Sequence, residues 1–263
     1  MLKTEARQKA HIGWGEAVYD KICLMLPTYG RSGTYLPAFI GSAMRCSSPE
    51  HVNFAFCVNQ RDGTTRNFLQ RFNFGKFKHD VVLEDSLSPN LAAYFNLLYL
   101  QSPLANVPGT MVSMLGDDMV FETPGWAEEI LKWVNERKGI GVYFCNDEFE
   151  ARGRCCVNMF VAREMVALTD APFMAPEFPA EMIDVVWHVA GRISKNLHYF
   201  PDLIIRHDHS RRKINLRWDT TFNRLRTVQV QVHALGGKKR AIKLGEEIGN
   251  RLVAKGIIGD SDC

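Results

Sequence analysis

Short apolar runs alternate along the first half of the chain with segments whose apolar positions recur every three or four residues. The runs Ile22 to Leu26, Val52 to Val58, Asp80 to Glu84 and Met111 to Leu115 are each bounded by turn residues, which predicts strands. Each is followed by a turn and a helical pattern: Thr34 to Arg45, Thr65 to Phe72, Asn90 to Gln101 and Trp126 to Glu136. Further strands are predicted at Ile140 to Cys145, Arg154 to Met159 and His198 to Ile205. A helix over Ala180 to Ser194 precedes the last of them, with Ile183, Val186, Trp187 and Ala190 on one face. Alternation of this kind predicts an α/β fold with a mixed, mainly parallel sheet flanked by helices. The chain shows no internal repeat.

Composition narrows the class. With 263 residues, 46% of them hydrophobic and 23% charged, the chain can build one large core or two that share a sheet, which excludes disordered and fibrous proteins. Seven cysteines, odd in number and without C-x-x-C spacing, argue against a disulfide framework or a zinc ribbon and for a reducing compartment. The longest charge-free stretch, Ser86 to Gly116, is broken by three prolines, and its apolar centre is about half the ~20 residues that a membrane span needs. The first residues are polar and lack a signal-like apolar core. The expectation is a cytoplasmic globular protein without a membrane span.

Net charge is +3, but residues 206–263 hold 13 Lys and Arg against 6 Asp and Glu, so the preceding part is net acidic. The basic segment either faces an anionic partner or is a solvated helix surface.

Ligands of open α/β sheets sit where loops leave the carboxyl ends of strands. Those loops read Pro27-Thr28-Tyr29-Gly30-Arg31, Asn59-Gln60-Arg61-Asp62-Gly63-Thr64 and Gly116-Asp117-Asp118. No G-x-G-x-x-G joins a strand to a helix and no P-loop is present, so phosphate must be handled in another way. Two adjacent carboxylates after a buried strand repel each other and raise each other's pKa. A divalent cation removes that cost, and hard oxygen ligands suit Mg²⁺ or Mn²⁺ bridged to a pyrophosphate. The alternative is that Asp117 and Asp118 form a turn before the helix that follows Pro124.

The segments CLMLPTYGRSGTYLPAFIGSA and MLGDDMVFETPGWAEEILKWV together resemble the nucleotide-sugar-binding half of the GT-A glycosyltransferases, especially the inverting family 2 type and its compact members in bacteriophage and bacterial genomes. The resemblance covers about residues 1–210 and implies a donor half over about 20–120, an acceptor half over about 121–210, and a basic helical extension over 211–263. It implies that Pro27, Thr28, Tyr29 and Arg31 lie against the base and ribose of a nucleotide-diphosphate sugar, a UDP-sugar by preference, with Asn59 and Asp62 where the family has acidic residues. VNQRDG replaces the usual V-D-D-G, and Gly116 takes a place that is often acidic, so a strict D-x-D is absent. Asp118, with Asp117, would hold Mn²⁺ or Mg²⁺ on the diphosphate, and His207 or His209 at the end of LHYFPDLIIRHDHS would supply a late ligand.

The helix FPAEMIDVVWHVAGR resembles the family's acceptor-side helix, which makes Asp184 the expected general base and Glu181 the runner-up. The function implied is metal-dependent transfer of a sugar to an acceptor hydroxyl, with inversion. Eleven Lys and Arg between Arg206 and Lys243, against Asp208 and Asp219, bring in an acceptor on DNA, a hydroxylated base flipped onto Trp218 or Phe222, beside a saccharide. Rival readings are a nucleotidyltransferase on a related sheet and a non-catalytic nucleic-acid-binding module. Cys155, Cys156, His79, His188, His198, Trp126 and Trp133 read as structural, Asn96 as a cap or else a donor contact, and Trp187 as core or acceptor groove.

Overall fold

The computed structural model describes residues 18–86, 90–148, 158–169, 173–174, 178, 182–208 and 236–259. Strands are β1 (Lys21–Thr28), β2 (Val52–Asn59), β3 (Lys78–Glu84), β4 (Thr110–Met114), β5 (Met119–Phe121), β6 (Val142–Asn146), β7 (Met159–Ala162) and β8 (Leu197–His207). Helices are α1 (Tyr35–Cys46), α2 (Gly63–Arg71), α3 (Leu91–Gln101), α4 (Trp126–Glu136), α5 (Arg163–Leu168), α6 (Ile183–Ile193) and α7 (Gly237–Ala254).

One sheet runs β3-β2-β1-β4-β7-β6-β8-β5. Parallel pairing joins β3, β2, β1 and β4, and separately β6 and β8. Strand β7 is antiparallel to both β4 and β6, and β5 is antiparallel to β8. The mixed, mainly parallel sheet expected from the sequence is therefore present. Strands β2 and β4 are buried at every position, as strands covered by helices on both faces must be. Edge strand β3 begins two residues earlier than its apolar run, because Lys78 and His79 are exposed there and carry no hydrophobic signal. Strand β5 and helix α5 are too short to show a period and were not expected. Strand β7 starts at the last residue of the predicted Arg154 to Met159 run, of which 154–157 lie outside the described residues.

The residues read as structural pack as such. Trp126 and Trp187 are fully buried, and His79 and His198 stack on Phe74 and Tyr143. Trp133 meets Phe200 edge to face, and His188 meets Phe144 in the same way. Cys155 and Cys156 lie outside the described residues. No helix among the described residues is long and apolar enough to cross a membrane.

Strand order reverses beside β1, which has β2 on one side and β4 on the other, and this is where an open α/β sheet forms its crevice. Pairing of β1 with β4 covers only Lys21–Cys23 against Thr110–Val112. Beyond it Ser113 Oγ accepts from the Met25 amide at 3.1 Å, and the strands part toward their carboxyl ends.

Helix α7 lies parallel on α6. A Cβ at Gly245 would stand 2.7 Å from both Val186 O and Val189 Cβ, and one at Gly249 2.6 Å from Ile193 Cβ. Glycines four apart share a helix face, so this pair is what lets the two backbones approach. Asn196 Nδ2 closes the far end by donating to Ile257 O at 3.4 Å. Gly245→Leu is therefore expected to destabilise the protein by about 1–3 kcal/mol, the usual cost of overpacking. Urea denaturation checks this, and an unchanged midpoint would contradict the packing.

Candidate active site

The site starts from one buried carboxylate. Asp117 follows β4 and is 4% exposed. Its Oδ2 accepts from Thr28 Oγ1 at 2.7 Å and its Oδ1 from Arg31 Nη1 at 2.5 Å. Thr28 is the last residue of β1, and Arg31 sits three residues on with its guanidinium over the Tyr35 ring. Arg31 also reaches Asp118, with Nη1 3.6 Å from Oδ2.

Asp118 is placed by β5. The antiparallel register sets Met119 against His207, and the Asp208 amide donates to Asp118 O at 2.8 Å. The His207 ring therefore faces Asp118, Nε2 to Oδ1 at 3.4 Å, with the side chains 17% and 18% exposed. The His207 amide donates to Asp147 O just beyond β6. Gly116 belongs to this geometry, since a Cβ there would stand 2.5 Å from Asp118 Oδ1 and push the carboxylate aside.

Charge follows from these contacts. Burial pushes the Asp117 carboxyl up, and Asp118 adds to this, while Arg31 and Thr28 pull the other way. Burial would raise Asp118 too, but the hydrogen bond and charge of His207, with Arg31, hold it down at about 2. His207 is the converse: burial favours its neutral ring, yet Asp118 and Asp147 raise it above the ordinary value.

The other expected donor-side residues divide. Pro27 is half-buried, and Tyr29 stands exposed at the crevice mouth. Asp62 caps α2 by accepting from the Thr65 amide at 3.0 Å, and its second oxygen takes the Gly30 amide at 2.6 Å. Asn59 donates to Ser86 O at 2.9 Å and to Glu84 Oε1, and its oxygen takes the Arg61 amide. Both side chains thus fix loops. Glu84, buried at the end of β3, gathers Asn59 with the Ser86 amide and hydroxyl, and was not picked out from the sequence. Asp147, 1% exposed, was missed as well. The available signal was the same for both, an acidic residue at or just beyond the carboxyl end of a strand.

Asp184 lies in the first turn of α6, half-buried, with Oδ1 accepting from the Val185 amide at 2.9 Å. Helix α6 leads straight into β8, with Gly191 against Leu197 and His188 on Phe144 of β6, so its start points toward the carboxyl-end edge of the sheet, where His207 ends β8. Asn96 pairs both ways with the Met174 backbone at 2.8 Å, and Trp187 Nε1 donates to Phe173 O at 2.8 Å, so the two hold Phe173 and Met174 between α3 and α6. Glu181, His209, Trp218 and Phe222 lie outside the described residues.

Among the described residues no group of three or more His, Cys, Asp or Glu is arranged to hold a metal ion. Asp118 and His207 nevertheless fit one as a pair. An oxygen and an imidazole nitrogen 3.4 Å apart are close to the spacing of adjacent ligands on one ion, about 3 Å for bonds of 2.0–2.1 Å. Ions such as Mg²⁺ take one or two carboxylates and leave the other positions to substrate phosphates and water. Asp117 does not present itself in this way, since both its oxygens are used by Thr28 and Arg31.

No sequence model of a known family matches the chain, and no curated protein matches it by sequence. Solved structures do match in shape. TarS of S. aureus, residues 1–349 in complex with UDP-GlcNAc, superposes with a TM-score of 0.56 at 12% identity over 89% of this chain and 73% of that one. The mannosyltransferase PcManGT of Pyrobaculum calidifontis, in complex with GDP-Man and Mn²⁺, gives 0.53 at 11% identity over 92% and 76%. The fold is of the GT-A type. Against a longer TarS structure the chain spans 36% of that chain's length.

A titration checks the charges at the GT-A crevice. In the metal-free protein the raised His207 contributes stability that is full below its ordinary 6.5 and lost as pH climbs through the raised value. The depressed Asp118 contributes stability present above 3.8 and lost as pH falls toward about 2. The pair is thus expected to stabilise most between those two ordinary values. NMR of the His207 ring should give a midpoint above 6.5 that drops in Asp118→Asn, and a midpoint indifferent to the substitution would refute the pairing.

Proposed function

We propose that the chain is a glycosyltransferase of the inverting family 2 type, moving a sugar from a nucleotide-diphosphate sugar, by preference a UDP-sugar, to an acceptor hydroxyl. The observation that carries this reading is the cluster Thr28, Arg31, Asp117, Asp118 and His207 at the switch point of a GT-A-type sheet. The donor half spans about residues 20–120 and the acceptor half about 121–210.

In this reading the base and ribose enter beside Pro27 and Tyr29, along loops fixed by Asn59 and Asp62. Arg31 brings positive charge to the crevice where the diphosphate must lie, and such preorganised charge is worth most where water is excluded. Asp118 and His207 would hold Mn²⁺ or Mg²⁺, which stabilises the charge of a departing diphosphate. Asp117 anchors Arg31, and through it the loop after β1. Asp184, at the start of the acceptor-side helix, takes the hydroxyl proton as the oxygen attacks the anomeric carbon. The position of Asp184 at the sheet edge that bears His207 supports that role.

The test is hydrolysis and transfer with a panel of UDP- and GDP-sugars, with and without Mn²⁺. Asp118→Ala is expected to remove metal-dependent donor binding. Asp184→Asn, which keeps size but cannot take a proton, should retain donor affinity and lose transfer by about 10²–10⁴. Equal loss of binding and transfer in Asp184→Asn would reassign it to structure. Nucleotidyl transfer in place of sugar transfer would reject the reading as a whole.

A further inference from the structure

We propose that the outer edge of β3 is an interface at which a second copy of this chain adds its own β3 in antiparallel register, with Val81 of one copy facing Val81 of the other. The interface is independent of the glycosyltransferase reading and needs only the sheet and the side chains along its edge strand.

Among the described residues the sheet ends at β3. Its pairing with β2 runs without a register shift from Lys78 to Glu84, and the strand holds no proline, so neither of these common blocks stops a further strand from joining. One contact fixes which backbone groups point where: the Glu84 carbonyl accepts from the Gln60 amide, just beyond β2, at 2.7 Å. Backbone groups alternate sides along a strand, so those of Lys78, Asp80, Val82 and Glu84 turn toward β2, and the N–H and C=O groups of His79, Val81 and Leu83 turn outward. Outward residues centred on Val81 suit a strand that pairs with a copy of itself about a two-fold axis, where each residue pair is repeated in reverse. His79 then stands opposite Leu83, Val81 opposite Val81, and Leu83 opposite His79, and each pair exchanges two bonds.

Charge selects a second copy over other strands. Along the edge the sign changes from positive at Lys76 and Lys78 to negative at Asp80, Glu84 and Asp85, and Lys76, Lys78 and Asp85 are exposed. In the antiparallel register Lys78 of each copy faces Glu84 of the other, with Lys76 and Asp85 beside them, so opposite charges meet at both ends. Asp80 faces Val82 and meets no like charge. A parallel copy would set lysine against lysine and glutamate against glutamate, and a uniformly basic or acidic strand would be repelled at one end. Glu84 adds a reason from within the fold. It is 9% exposed and, among the described residues, meets the Asn59 amide and the Ser86 amide and hydroxyl but no cation. Lysine from a second copy supplies one.

The other face of the strand gains apolar cover. Leu83 is 42% exposed and lies on the same face as His79, four residues back. The His79 ring stacks on Phe74 with centroids 4.0 Å apart, and Phe74 in turn meets Phe54 and Phe56. Opposite residues of an antiparallel pair bring their Cβ atoms within about 4.5–5.5 Å, so Leu83 of each copy extends the aromatic cluster of the other. The pairing sets the carboxyl end of one β3 beside the amino end of the other. The two crevices therefore open at opposite ends of one continuous sheet.

The experiment is size-exclusion chromatography with light scattering on the full chain, from micromolar to hundreds of micromolar. Twice the mass of the chain is expected at the upper end, because a single edge strand makes a small, transient interface. Val81→Pro removes the central outward N–H and no bond to β2, as edge strands tolerate, and Lys78→Glu sets acid against Glu84. Each should raise the concentration at which half the chains pair by about tenfold or more. Lys78 is exposed, so its variant should melt with the parent and decides the matter on its own if Val81→Pro melts lower. Register is tested separately by disulfide formation under mild oxidation. Val81→Cys should join two copies far faster than the parent or Val82→Cys, because residue 81 faces itself with Cα atoms about 5.5 Å apart while residue 82 faces residue 80. A monomer at every concentration, a dimer indifferent to Lys78→Glu, or cross-linking at position 82 equal to that at 81 would overturn the proposal.

Discussion

The geometry of the crevice depends on the clamp that Thr28 and Arg31 place on the buried carboxylate of Asp117. An ionised carboxylate taken out of water costs several kcal/mol unless its oxygens are satisfied, and here both are. The same bonds tie the exit of β1 to the exit of β4 where those strands have stopped pairing. Together with the Asp62 bond to the Gly30 amide, they set the position of the loop bearing Tyr29 and Gly30 relative to Asp118. Removing one partner of such a pair typically costs about 3–5 kcal/mol, because the remaining charge is stranded. That cost, set against a total stability of about 5–15 kcal/mol, makes the clamp a condition of the fold as well as of the site.

From the clamp the other contacts follow in order. Arg31 leans from Asp117 toward Asp118, and Gly116 leaves room for the Asp118 carboxylate. The chain then enters β5, whose pairing with the end of β8 brings His207 beside Asp118 although the two are far apart in sequence. Helix α6 precedes β8 and brings Asp184 to the same edge, and α7 braces α6 through two glycines. Polar groups that bridge strands and loops define the crevice.

The early strands and helices were legible because each carries its own period: fully buried strands read as apolar runs, and α3 and α4 keep the predicted ends at Gln101 and Glu136. What escaped was short or non-local. Strand β5 has three residues and no period, and its partner lies in β8, so the neighbouring sequence does not announce it. The acidic pair was visible as a feature, but its division of labour was not. Nothing in the order Asp117-Asp118 says that the first is consumed by Thr28 and Arg31 while the second faces a histidine. Asn59 and Asp62 illustrate the same limit, since a residue chosen for donor contact on a motif also meets local backbone demands at a strand end and a helix cap.

The most direct measurement is amide NMR of the full chain titrated with UDP and with GDP in the presence of Mg²⁺. The account predicts that one of the two shifts the resonances of Gly30, Arg31, Asp118 and His207 together, in a saturable way. Shifts confined elsewhere, for instance to the open groove of α2 lined by Asn67, Phe68 and Arg71, with the crevice silent, would contradict it.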